Sequence, residues 1–147
     1  MSTEQIWMRD AKVQCDEEIQ FYHEIFQFIQ EDIRQSSEGR NMITEGAAFL
    51  PELMKECNIS NSHYVCITPT KEFQIEHFKK REWISFILDE CSDKEQSFTN
   101  WMDRDALFAE RVRMQCGNAG YTDIITDGRM KIEKMVEIVC RQFEFER

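Results

Sequence analysis

Three short apolar runs, each leading into helical periodicity, constrain this chain more than any other feature of its sequence. They are Met42-Ile43-Thr44, His63-Tyr64-Val65-Cys66-Ile67-Thr68, and the stretch from Tyr121 to Thr126. The middle run does not alternate, as expected of a strand buried on both faces, and Pro69 ends it. The last run closes in Asp127-Gly128, after which Ile132, Met135, Val136, Val139, Cys140 and Phe143 recur on one helix face. Between the first two runs, Pro51 suits the opening turn of a helix covering Phe49 to Cys57, where a missing N–H costs nothing. Strands alternating with helices in this way predict an α/β fold with a parallel sheet layered between helices.

Two long helical stretches frame those runs. From Thr3 to Ile33, apolar residues at Ile19, Tyr22, Phe26, Ile29 and Ile33 follow spacings of three and four, so one long helix is expected. Phe21, Ile25 and Phe28 widen its apolar stripe, and Glu17, Glu18, Glu24, Gln27, Glu31 and Asp32 fill the remainder. Ser36 to Asn41 then breaks the periodicity and reads as a loop. The second stretch joins the middle run to the last and covers residues 70–120, helical throughout. Ile84, Ile87, Leu88 and Cys91 mark one helix; Ser92-Asp93-Lys94-Glu95 has the form of a capping box that starts the next. That helix carries Phe98, Trp101, Met102, Phe108, Ala109 and Val112 and ends at Gly117 and Gly120. A helical excursion of this length between strands commonly serves as a lid.

Composition narrows the function classes. A length of 147 residues suits one domain, and 41% apolar with 31% charged residues is an ordinary globular balance. The formal net charge is −10, which leaves no basic face to release counterions from a nucleic acid or to bind an anionic membrane. The 6 cysteines include no C-x-x-C pair and the 3 histidines are scattered, so reduced thiols acting as small hydrophobes are expected rather than a zinc site. No apolar leader opens the chain and no segment has the length of a membrane span, so a cytoplasmic protein is expected.

Several stretches, taken in order, resemble P-loop proteins of the nucleoside and nucleotide kinase kind. They are Ile6-Trp7-Met8-Arg9, Phe21-Tyr22, Ile43 to Ala48 with Leu50-Pro51-Glu52-Leu53, Arg81-Glu82-Trp83, Asn100 to Asp105, Phe108-Ala109 and Thr126-Asp127-Gly128. The resemblance spans nearly the whole chain and implies a three-layer parallel sheet. It also implies phosphoryl transfer from ATP, with Mg²⁺, to a small-molecule acceptor. One departure is large: such proteins begin with a strand and a G-x-x-x-x-G-K-[ST] loop, and no Gly-Lys pair occurs here. That strand usually lies between those resembling Met42–Thr44 and Tyr64–Thr68. The expectation is therefore a partial domain, the back portion of a kinase-like protein, inactive alone.

The resemblance assigns candidate roles residue by residue. Arg81, Arg104 and Arg111 lie on the excursion, where lid arginines close over nucleotide phosphates. Arg104 and Arg111 are seven residues apart, about two helical turns, so they share a face; surface pairing with Asp103 or Glu110 is the plainer alternative. Glu45 follows the first run and is a candidate contact for the acceptor or for a metal-bound water, or else a carboxylate favoured by a helix dipole. Asp127 and Gly128 are candidates for the base-binding turn, or a simple helix entry. His77 is assigned no role, and Trp83, Phe98, Trp101 and Phe108 are expected to pack as a core. The competing expectation is a non-catalytic interaction module that docks a partner through its amphipathic N-terminal helix, with self-association through exposed apolar surface as a further possibility.

Overall fold

A computed structural model describes residues 1–144. The chain is mixed α/β and mostly helical, and its sheet has two parallel strands. The elements run α1 (Thr3–Trp7), α2 (Ala11–Ser37), α3 (Pro51–Glu56), a 3₁₀ turn (Asn61–His63), β1 (Val65–Pro69), α4 (Lys71–Phe78), α5 (Trp83–Ile87), α6 (Lys94–Ala119), β2 (Thr122–Thr126) and α7 (Ile132–Gln142).

The expected N-terminal helix forms as two. Ser2 caps α1 in a reciprocal box with Gln5, and Met8 ends it. Asp10 then starts α2 by accepting from the amides of Lys12 and Val13. A side chain that satisfies otherwise orphaned amides resets the helix axis there. At the far end, Glu38 and Gly39 turn the chain at φ 44 and 78.

Met42–Thr44 forms no strand, which corrects the sequence expectation. It lies in an irregular segment, with Ile43 76% exposed. A strand needs a neighbour to satisfy its backbone groups, and among the described residues nothing pairs with this one. The other two runs do form strands, as β1 and β2. They pair in register from Val65 opposite Thr122 to Pro69 opposite Thr126.

The long helix α6 organises the molecule. It packs against α2, α3, α4 and both strands. One core gathers Cys15, Ile19 and Phe26 of α2, Leu50, Leu53 and Met54 around α3, Cys66 of β1, and Val112 and Cys116 of α6, with Tyr121. The second core joins Ile84, Leu88 and Cys91 to Trp101 and Met102 of α6, with Trp7, Ile75, Phe78 and Phe98 against it. Of the four aromatics expected to pack together, Trp101 and Phe98 enter the second core. Trp83 lies 6.0 Å from Trp101, whereas Phe108 packs on the first core and meets Tyr22 edge-on at 5.9 Å.

The start of α6 also differs in detail from the sequence reading. Asp93, not Ser92, caps it by accepting from the Gln96 amide at 2.9 Å. Ser92 instead donates through both its amide and its hydroxyl to Glu4, tying α1 to the entry of α6. Gly117 lies inside the helix, and Gly120 closes it at φ 75, the left-handed conformation that glycine adopts without penalty.

Candidate functional site

The two strands end side by side, and the chain leaving each of them builds a cleft. The Thr70 amide donates to the Thr126 carbonyl at 2.9 Å, extending the pairing one step past β1. Thr70 also caps α4, accepting from the Phe73 amide. After β2 the chain turns through Asp127 and Gly128. Asp127 accepts from the Arg129 amide at 2.9 Å, and its carboxylate lies 3.5 Å from the Arg129 guanidinium. Gly128 has φ 82, and a Cβ there would lie 3.2 Å from the Phe73 ring, so both backbone and contact favour glycine.

The resulting cleft has a volume of about 490 Å³ and is lined by Thr70, Glu72, Phe73, Glu76, His77, Asp127, Gly128 and Arg129. It stands at the carboxyl ends of parallel strands, the position where open α/β sheets bind ligands. Phe73 and His77 stack one turn apart on α4, with ring centroids 3.9 Å apart. His77 Nδ1 lies 2.8 Å from the Phe73 carbonyl, which can only accept. Nδ1 therefore carries the proton, and in the neutral ring Nε2 is left as an acceptor.

Three carboxylates against one guanidinium make this cleft acidic. Glu76 is further held by Lys80 at 2.7 Å, and that hydrogen bond keeps its carboxyl below the usual range. Carboxylates and a ring suit hydroxyls, amines and a planar group better than phosphates. Among the described residues, no group of three or more metal-ligating side chains converges. The lining thus offers carboxylate acceptors and an aromatic face, with Arg129 as its one guanidinium.

The six sequence candidates fall in four places. Asp127 and Gly128 meet at the cleft. Arg104 and Arg111 share the face of α6 turned to α2, as their spacing requires, and both are paired there. Arg104 donates to Asp105 at 2.5 and 2.8 Å, lies 3.4 Å from Glu18, and stands over the Trp7 ring at 5.1 Å. Gln74 of α4 donates to the same Asp105 carboxylate. Arg111 donates to Asp16 at 2.6 Å. These pairs differ from the Asp103 and Glu110 contacts considered from sequence; Asp103 pairs with Lys71 at 2.5 Å. Arg81 lies over Phe78 at 4.4 Å, against the second core. Glu45 is exposed in the irregular segment after Met42–Thr44, with no strand before it to aim it at a ligand.

Residues without an assigned role complete the strand ends. Arg113 donates to the Thr68 hydroxyl at 2.9 Å and to the Pro69 carbonyl at 2.6 Å, clamping the end of β1 to α6. It lies on the opposite side of α6 from Arg104, nine residues on, which is about half a turn out of phase. Thr70, Phe73 and His77 were legible only as a T-x-x-F cap and an i,i+4 pair directly after a strand.

Compared with known proteins, the sequence matches no family model, and no curated protein and no solved structure resembles it significantly.

Proposed function

We propose that this chain is the back portion of an ATP-dependent small-molecule kinase-like domain, with the cleft between α4 and the β2 turn taking the nucleoside end of the nucleotide. The observation that carries this reading is the position of Asp127 and Gly128. They lie on an open cleft at the carboxyl ends of two parallel strands, faced by the Phe73 ring. A ribose hydroxyl or an exocyclic amine would donate to Asp127 or Glu72, and the base would lie against Phe73.

The sheet gives secondary support. Parallel strands are ordinarily buried on both faces and flanked on both edges. Ile67 and Ile125 here are 48% and 45% exposed, and among the described residues the outer edge of β1 is unpaired. In this reading a further strand, carrying the phosphate loop, seats along that edge and completes a three-layer fold. Arg104 and Arg111 would then have to leave Glu18, Asp105 and Asp16 before touching phosphate. Arg81, which rests on aromatic rings, is freer to move.

The test is a titration of the chain with adenosine and with ATP plus Mg²⁺, followed residue by residue in amide NMR spectra. Adenosine and ATP are expected to bind with similar weak affinity and to shift Phe73, His77, Asp127 and Gly128, and Asp127→Ala is expected to weaken both. Shifts elsewhere, or none at saturating adenosine, would remove the reading. A low-micromolar ATP constant lost on adding Mg²⁺-free phosphate as competitor would overturn the assignment of the nucleoside end.

A further inference from the structure

The outer face of α2 carries apolar side chains that nothing among the described residues covers. Phe21 and Phe28 are 54% and 64% exposed, and Ile25 between them is half-buried. Their spacings of four and three place them on one stripe, set outside the face that buries Cys15, Ile19 and Phe26. The inner stripe already supplies the core, so the outer one contributes little to folding. Two exposed phenylalanines one heptad apart, with an isoleucine between, have the spacing by which helices anchor on one another.

Charge selects the occupant. Glu17, Glu24 and Asp32 flank the stripe along α2, and the whole chain carries a net charge of −10. Arg9 already donates to Glu17 at 2.6 Å, so Glu24 and Asp32 are the flanking carboxylates left to a partner. A second copy docked symmetrically would set this acidic patch against itself, since a two-fold interface uses the same surface on both copies. Like charges across an interface are costly, whereas opposite charges speed encounter and fix register.

We infer that the Phe21–Ile25–Phe28 stripe of α2 is a docking surface for a basic amphipathic helix of another protein. Its apolar face covers the two phenylalanine rings, and its lysines or arginines meet Glu24 and Asp32. This surface shares no residue with the nucleoside cleft, so the two readings stand or fall separately.

The experiment uses the intact chain and a fluorescent synthetic helix of leucine and lysine in amphipathic register, with a leucine–glutamate helix as control. Fluorescence anisotropy should show binding of the basic helix only, weakening as salt is raised. The double variant Phe21→Ala/Phe28→Ala should weaken it at least about tenfold, as loss of two aromatic anchors does, while circular dichroism shows an unchanged helix content and melting temperature. Glu24→Lys/Asp32→Lys should reverse the preference between the two helices. Equal binding by the phenylalanine double variant would mean that net charge alone attracts the peptide, and would overturn the inference. So would the absence of binding, or sedimentation showing that the stripe instead pairs two copies of the chain.

Discussion

Asp105 shows how one residue is held by opposing forces. Its carboxylate is largely enclosed between α2, α4 and α6, where it accepts from Arg104 and Gln74. Burial raises its pKa above the usual range, and this outweighs the lowering by Arg104 and by the hydrogen bonds. An acid whose folded-state pKa lies above its unfolded value is most favourable to folding when protonated in both states. That contribution is lost as pH rises from the ordinary value through the raised one. Asp105→Asn cannot titrate, so its urea midpoint should fall less steeply than the parent's as pH rises through the acid range. Parallel slopes in the two proteins would show that Asp105 does not titrate with folding. Further along α6, the Cys116 thiol is likewise pushed up, to about 12, by burial beside Cys66, and so behaves as core rather than as a nucleophile.

At the scale of elements, the entry of α6 distinguishes two neighbouring residues that look alike in sequence. Asp93 meets the Gln96 amide, one of the orphan donors of the first turn, whereas Ser92 faces Glu4 of α1. Asp93→Ala should therefore cost about 1 kcal/mol in urea unfolding, the usual cost of a lost N-cap. Ser92→Ala should cost distinctly less, because its partner is an exposed carboxylate. Equal losses would return the cap to Ser92. The amphipathic helix α7 differs from α6 in what it buries. Its Ile132 and Val136 remain exposed, and none of its residues is fully enclosed. Gln142 ties it to the neighbouring elements, accepting from Thr122 at 2.8 Å and donating to the Asn61 carbonyl.

At the scale of the molecule, stability centres where α2, α3, β1 and α6 meet. Leu50 is fully enclosed there, at the start of α3, although it follows an irregular stretch of chain. Leu50→Ala should cost about 3 kcal/mol through lost transfer energy and the cavity left behind. Phe28→Ala, on the outer face of α2, should stay within about 0.5 kcal/mol. If urea denaturation gave the two variants similar midpoints, the assignment of inner and outer faces of α2 would be wrong.

Read alone, the residues determined what is local. Periodicity located α6, α7 and most of α2, and the apolar runs located β1 and β2, because these signals depend on spacing along the chain and not on neighbours. Pro51 and Gly120 marked their helix ends for the same reason, since their backbone preferences are intrinsic. Three matters were left to the tertiary structure. Met42–Thr44 has the composition of a strand but no partner to bond, and pairing is a property of two segments. Arg104 and Arg111 have the spacing of an anion clamp, but Glu18 and Asp16, nearly a hundred residues away, neutralise them once α2 packs on α6. The cleft depends on Thr70 reaching Thr126 across the sheet, a hydrogen bond that exists only when the ends of β1 and β2 lie side by side.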